Sequence, residues 1–229
     1  MAKFPEAPPA AQLVALAPVL QILPAGTRCW RIYFQGGQHP TAWNALRGYG
    51  PTTARFDHHL PPPHVQARQV LYIAENALTC FAEVFQDTRT IDRLRDDPWL
   101  VCIELTRPVP LLDLTGAWPT QAGSSMAINT GPRPRARRWS QAIYDAYPMV
   151  EGLYYASSMD ANRPAVMFYE RAANALPNRP SFHRALADPT LVPAIARAGP
   201  PRLPRSAWPG GPPAALGRRA RRQDALPPP

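Results

Sequence analysis

The stretch VLYIAENALTCFAEVF, residues 70–85, contains the two local patterns that indicate the fold most directly. Val70–Ala74 is a short, continuous apolar run, which is typical of a buried strand. Asn76 is a good N-cap residue and predicts the start of a helix that runs to about Asp87. One face of that helix is apolar, and it is made of Leu78, Phe81, Ala82 and Phe85. We therefore expect a buried strand followed directly by an amphipathic helix.

Polar side chains occur inside this stretch and inside other apolar stretches. They are Arg31 in CWRIYF, Arg55 in TARFD, Tyr72 and Glu83 in the stretch above, and Ser157 in EGLYYASS. Burial of such groups costs free energy unless they are paired or used. We therefore expect these five side chains to converge on one functional site.

The remaining apolar runs predict further strands and a few helices. Strands are expected at 28–34, 100–106, 110–114, 151–156 and 165–169, and helices at 90–96, 140–147 and 189–197. Residues 35–69 contain repeated Gly and Pro and predict a long loop that faces a ligand. The alternative for so long a connection is an element that the pattern does not reveal. The predicted class is α+β, with a small mixed β-sheet core, flanking helices and long loops.

Composition divides the 229 residues into three regions around one core. Residues 1–24 are an N-terminal extension, in which segment 10–23 predicts a short amphipathic docking element, with an export signal as the alternative. Residues 25–198 are the predicted catalytic domain. Residues 199–229 are rich in Pro and Arg and lack apolar periodicity, so we expect a disordered tail.

The net charge of +9 is concentrated in this tail. Six Arg and one Asp follow Gly199, which gives +5 and leaves +4 for the rest of the chain. Surfaces that bind nucleic acid collect their basic residues on a folded face. The sequence therefore predicts no specific nucleic-acid partner, and binding through the Arg-rich tail is the alternative.

Cysteine usage and hydropathy indicate the compartment. Cys29, Cys80 and Cys102 are isolated and form no disulfide pattern. No run approaches the roughly 18 apolar residues that a membrane span needs. We expect a cytoplasmic protein without membrane contact, and the sequence indicates no oligomeric state.

A histidine-rich segment, with Asp57, His58, His59 and His64, invites a metal-binding interpretation. Its spacing fits no zinc pattern, and we predict surface histidines in a loop and no metal. The glycines between residues 36 and 50 match no P-loop or Rossmann fingerprint. Any dinucleotide site is therefore expected to be of another kind.

The ordered polar set resembles the RES domain family over about residues 28–170. The matching residues are Trp30-Arg31, Arg55-Phe56, Leu71-Tyr72, Glu83 eleven positions after Tyr72, and the strand end Gly152–Ser157. This resemblance implies a fold similar to that of ADP-ribosyltransferases. It also implies an NAD-consuming toxin of a toxin–antitoxin pair, with a helix-turn-helix antitoxin as its partner and NAD as the substrate.

The resemblance implies that Glu83, Arg31 and Ser157 are catalytic and that Arg31, Arg55, Tyr72 and Ser157 bind NAD. The reaction would cleave the nicotinamide–ribose bond, with hydrolysis, phosphorolysis or ADP-ribosyl transfer as the outcome. Arg guanidinium groups suit phosphate oxygens, and a carboxylate suits the cationic ribose. The structural alternatives are strand-edge salt bridges, a solvent-facing Glu, a core Tyr and simple strand termination, with Ser158 as a rival for Ser157. The functional alternative is an inactive nucleotide- or protein-binding module of the same fold.

Overall fold

Nine strands form one sheet in the computed structural model, which describes residues 3–197. The strands are β1 Leu20–Leu23, β2 Arg28–Phe34, β3 Arg47–Gly50, β4 His64–Ala74, β5 Pro98–Glu104, β6 Val109–Asp113, β7 Gly152–Ala156, β8 Pro164–Tyr169 and β9 Phe182–Ala185. The α-helices are α1 Ala10–Leu13, α2 Ala77–Val84, α3 Trp118–Gln121, α4 Arg133–Ala146 and α5 Val192–Arg197. Short 3-10 helices lie at Met126–Ile128, Glu170–Ala175 and Pro189–Leu191.

The sheet is mixed, in the order β1-β6-β7-β8-β4-β2-β5-β9, with β3 paired to β4. β6 and β7 are parallel, and the other paired strands are antiparallel. The predicted α+β class is confirmed, although the sheet is larger than expected. Within the described part of the chain, no helix has both the length and the apolar character that crossing a membrane requires.

Helix α2 begins where the sequence predicts. The Asn76 side chain accepts a hydrogen bond from the Leu78 amide at 2.8 Å, as an N-cap residue does. The helix ends at Val84, three residues before the predicted end, and Phe81, together with Phe85 just after the helix, packs in one apolar cluster with Ile32 of β2. The position of Glu83 near the end of this helix follows from that packing.

Helix α4 begins at Arg133, seven residues before the predicted start. Its buried face has helical spacing and consists of Ala136, Trp139, Ser140, Ile143 and Ala146. Arginines fill most of the first two turns, so the local pattern is mostly polar there. Only packing against the sheet and the N-terminal segment reveals the buried face.

Two other predicted segments differ from the structure. Residues 35–69 contain β3 and the first half of β4, so part of the expected loop is strand. Residues 90–96 are turns and not a helix. The Asp92 carboxylate accepts hydrogen bonds from the amides of Leu94 and Arg95, and Asp96 has a φ of 61°. Such side-chain contacts to the backbone compete with helix formation.

The N-terminal segment packs into the same core as the predicted catalytic domain. Phe4 and Leu13 are buried against α4, and the Tyr147 hydroxyl donates to the Leu13 carbonyl at 2.7 Å. β1 pairs with β6, with Leu20 opposite Leu112. The structure therefore shows no separation at residue 24, because the extension covers apolar surface of the sheet and of α4. The predicted tail at 199–229 lies outside the described residues.

The sheet divides between β2 and β4. These strands pair only where Trp30 lies opposite Ala74. β2 otherwise pairs with β5, while β4 pairs with β3 and β8. Because the strands separate beyond that single contact, Arg31 and Tyr72 border a cavity instead of a continuous sheet.

Candidate active site

A cavity of about 500 Å³ occupies this division in the sheet. Four of the five predicted site residues line it, namely Arg31, Arg55, Tyr72 and Glu83. The fifth, Ser157, is buried behind the wall and contacts Glu83, while Ser158 lies in the wall and is exposed. The fold therefore brings together side chains that are up to 126 positions apart in the sequence.

Glu83 lies in the last turn of α2, and its side chain is half-buried. Burial raises the pKa of the Glu83 carboxyl, while the Ser157 hydrogen bond and the positive charges of Arg55 and Arg133 act to lower it. The predicted alternative, a solvent-facing helix carboxylate, does not describe this geometry. A carboxylate in such surroundings can stabilise a positive charge that develops in the cavity.

Ser157 directly follows β7 and is fully buried. Its hydroxyl donates to Glu83 Oε1 at 2.5 Å and accepts from the amides of Met159 and Asp160 at 3.2 Å each. These three contacts fix the orientation of the hydroxyl. Ser157 is therefore placed to orient Glu83, and the two backbone bonds also close the turn after β7.

Arg31 projects from β2 and anchors the segment above the cavity. Its Nη1 donates to the carbonyls of Trp43 and Ala45 at 2.7 and 3.1 Å and to that of Ala42 at 3.3 Å. Burial lowers the pKa of the guanidinium to about 10, so it stays charged at neutral pH. It forms no ion pair with a described carboxylate, which differs from a strand-edge salt bridge. Nη2 and Nε remain available to a ligand.

Arg55 is held by the loop that precedes α4. Its Nη1 donates to the Gly131 carbonyl at 2.5 Å. Burial lowers the pKa of Arg55, and the positive charge of Arg133 adds to this effect. Within residues 3–197 it forms no ion pair, although Glu83 is close enough to act on its pKa.

The Tyr72 hydroxyl is buried and has no hydrogen-bond partner among the described side chains and backbone groups. Burial raises the pKa of this phenol, so it stays protonated at neutral pH. A buried hydroxyl without a partner costs free energy. Tyr72 lines the cavity with atoms other than this oxygen, because the hydroxyl is closed to solvent and lies near Asp57, Arg47 and the Phe56 backbone.

Sequence reasoning missed Arg133, Gln86, Arg47 and Thr52, all of which line the cavity. Arg133 is the first residue of α4, and its Nη2 donates to Gln86 Oε1 at 2.8 Å. The helical spacing of Ala136, Trp139 and Ile143 is consistent with a helix that starts at Arg133, but the arginines between them mask this pattern in the sequence. The other three carried no local pattern, because Gln86 and Thr52 are ordinary polar residues in loops and Arg47 begins the short strand β3.

The prediction of surface histidines at His58 and His59 was wrong. Both side chains are fully buried together with Asp57, whereas His64 is exposed at the start of β4. Phe56 packs against Tyr155 in the core with a centroid distance of 4.9 Å, and this draws the following residues inside. The contact between His59 Nδ1 and the buried Asp57 carboxylate offsets part of the cost of burying that pair, whereas neither ring nitrogen of His58 has a hydrogen-bond partner among the described residues.

Asp57 connects the buried cluster to the cavity wall. Its carboxylate accepts from the Thr52 amide at 2.7 Å, the Thr52 hydroxyl at 2.8 Å and Arg47 Nη2 at 2.9 Å, and it also contacts His59 Nδ1. Burial opposes ionisation, but these contacts hold the pKa of Asp57 well below its usual range. Asp57 therefore positions two residues that line the cavity without itself lining it.

Glu170 forms the other end of this cluster. Burial alone would raise its pKa, but His58, the Tyr144 hydroxyl and the Gln69 amide lower it to about 2. Burial lowers the pKa of His58, whose Nε2 lies 3.6 Å from Glu170 Oε2. In the part of the chain that the structure describes, no group of three or more His, Cys, Asp or Glu is placed to hold a metal ion.

The fold and the cavity define a class of protein: an α+β domain whose mixed sheet divides to form a site with a half-buried carboxylate and several guanidinium groups. The RES domain profile matches residues 28–193. The chain therefore belongs to the RES domain family.

A solved structure shares this fold. One chain of the crystal structure of the M. tuberculosis MbcT–MbcA toxin–antitoxin complex superposes with a TM-score of 0.52 and 18% sequence identity. The match covers 82% of the present chain and 94% of that chain. No curated protein sequence matches the chain.

Proposed function

We propose that this protein is an NAD-consuming enzyme that cleaves the bond between nicotinamide and ribose. The observation that carries the proposal is the placement of the Glu83 carboxylate, bound by Ser157, in a cavity that also contains Arg31 and Arg55. Cleavage of this bond develops positive charge on the ribose, as at other glycosidic bonds. The cavity thus combines an anion for the sugar with cations for the diphosphate.

Each predicted residue has a role in this proposal. Glu83 stabilises the cationic ribose, and Ser157 orients the Glu83 carboxylate. Arg31 offers Nη2 and Nε to phosphate oxygens and keeps the segment 42–45 over the substrate. Tyr72 contributes its ring to the cavity wall, where it packs against nicotinamide. ADP-ribose then passes to water, inorganic phosphate or a macromolecular acceptor.

We further propose that an antitoxin protein controls this activity. The solved structure that shares this fold is part of a toxin–antitoxin complex, which supports a protein partner for the present chain. The family resemblance suggests that this partner is of the helix-turn-helix type. We also propose a cytoplasmic location, which is consistent with the three free cysteines among the described residues.

The test is an NAD-depletion assay on the full chain, with products identified by mass spectrometry. Wild-type protein is expected to release nicotinamide, and Glu83→Gln is expected to abolish that release. The matched control is Glu104→Gln, because Glu104 is half-buried on β5, pairs with Arg28 at 2.9 Å and does not line the cavity. Full activity in Glu83→Gln would reject the proposal. Binding of ADP-ribose without nicotinamide release by the wild type would support the inactive-module alternative.

A further inference from the structure

Two guanidinium groups meet at the start of α4, on one side of the cavity. Arg55 reaches this point from the loop after β3, and its Nη1 binds the Gly131 carbonyl at 2.5 Å. Arg133 follows Gly131 by two residues and binds the side-chain oxygen of Gln86 at 2.8 Å. Both arginines line the cavity. The pair therefore results from two separate segments that the tertiary structure brings together.

The acceptors that hold these arginines are neutral. A backbone carbonyl holds Arg55, and an amide oxygen holds Arg133. Neither guanidinium has a carboxylate partner within ion-pair distance among the described residues. Two adjacent positive charges in a half-buried cavity repel each other and are poorly solvated. The arrangement fixes both groups in place and leaves their charge for an incoming anion.

Each guanidinium also keeps donors for that anion. One Nη atom of each arginine is used by the protein, so the second Nη and Nε remain without a partner in the described structure. A planar pair of N–H donors fits two oxygens of a phosphate group. Arg31 also keeps Nη2 and Nε, but its Nη1 holds the carbonyls of segment 42–45 and not the start of α4.

We propose that Arg133 and Arg55 together bind one phosphate group of the substrate, with Gln86 as the positioning residue for Arg133. This inference deepens the proposed function and rests on it for the identity of the substrate. Gln86 also donates to the Glu83 backbone carbonyl at 2.8 Å. The phosphate subsite is thereby tied to the end of the helix that carries Glu83, and phosphate binding sets the distance between the diphosphate and the carboxylate.

The test is calorimetric titration of the full chain with ADP-ribose and with inorganic pyrophosphate. Arg133→Gln is expected to raise the Kd for both probes at least about tenfold, which corresponds to the loss of roughly 1.4 kcal/mol from a charge-assisted contact. Arg137→Gln is the matched control, because Arg137 lies one turn later on α4 and does not line the cavity. Equal Kd values for the two variants would overturn the proposal, as would a wild type that binds neither probe.

A Gln86 variant tests whether the charge of Arg133, which Gln86 positions, is needed for phosphate binding. Gln86→Glu keeps an acceptor for Arg133, but it neutralises the Arg133 charge and loses the amide donor to the Glu83 carbonyl, so we expect weaker ADP-ribose binding and a lower melting temperature. A merely structural role for Gln86 would leave the affinity of that variant unchanged. NAD depletion is measured separately. If Arg133→Gln binds both probes more weakly than the wild type, but the wild type consumes no NAD, only the proposed function is rejected. If Arg133→Gln consumes NAD with the KM of the wild type, only the phosphate subsite is rejected.

Discussion

The Ser157 hydroxyl donates a hydrogen bond of 2.5 Å to the Glu83 carboxylate, although the two residues are 74 positions apart. The bond joins the end of β7 to the last turn of α2 across the wall of the cavity. Burial raises the pKa of Glu83, and this bond is the largest contribution that opposes the rise. Ser157 thus affects both the position and the ionisation of the proposed catalytic carboxylate.

Ser157→Ala is expected to reduce NAD cleavage about tenfold or more, because a hydrogen bond to a charged group contributes about 1.5–3 kcal/mol. Loss of the bond also raises the pKa of Glu83 further. The acid limb of the pH–rate profile should therefore move to higher pH, since the ionised carboxylate is needed. Ser181→Ala, which changes an exposed serine outside the cavity lining, serves as control. A profile that stays at the same pH in Ser157→Ala would contradict this role.

Glu83→Gln is expected to melt at a higher temperature than the wild type at pH 7. The pKa of Glu83 is raised in the folded state, so its charged form is less favourable there than in the unfolded chain. That cost is present above the raised pKa and disappears as the pH falls below the unfolded value. The gain in melting temperature should therefore shrink towards about pH 4. Thermal unfolding followed by circular dichroism measures it, and a variant less stable at pH 7 would refute the expectation.

Asp57→Asn is expected to destabilise the protein by about 3 kcal/mol, because it leaves a buried, hydrogen-bonded cluster without its charge. The contacts of Asp57 with Arg47 and Thr52 would weaken at the same time. Urea unfolding measures the change. Asp145→Asn is the control, since this carboxylate is 46% exposed and its pair with Arg68 contributes at most about 1 kcal/mol. Similar losses of unfolding free energy in the two variants would show that the buried cluster contributes no more to stability than an exposed ion pair.

Arg31→Gln is expected to loosen residues 41–46, because three carbonyls in that segment lose their common donor. Amide hydrogen exchange in this segment should become faster, while exchange in β4 stays slow. Arg28→Gln is the control, because Arg28 lies on the same strand, is exposed and pairs with Glu104. Unchanged exchange at residues 41–46 would mean that Arg31 does not hold the segment.

Much of the fold could be predicted from local sequence. The strand at Val70–Ala74 and the N-cap at Asn76 depend on the side chains of a few consecutive residues. The start of α4 could not be predicted in this way, because arginines hide its apolar face until the sheet and the N-terminal segment cover it. The burial of His58 and His59 could not be predicted either, because it depends on Glu170 and on packing of Phe56 against Tyr155, which are distant in sequence, although Asp57 is a sequence neighbour.

The sequence by itself determined the class of fold, the strand and helix around residues 70–85, and the ordered set of polar residues that resembles the RES family. Periodicity, capping and spacing are relations between near neighbours, so a linear chain displays them. Only the tertiary structure decided that Ser157 bonds to Glu83, that Arg31 holds the segment above the cavity and that Arg133 joins Arg55. Those contacts depend on pairing between strands and helices distant in sequence, where burial and charge act through space.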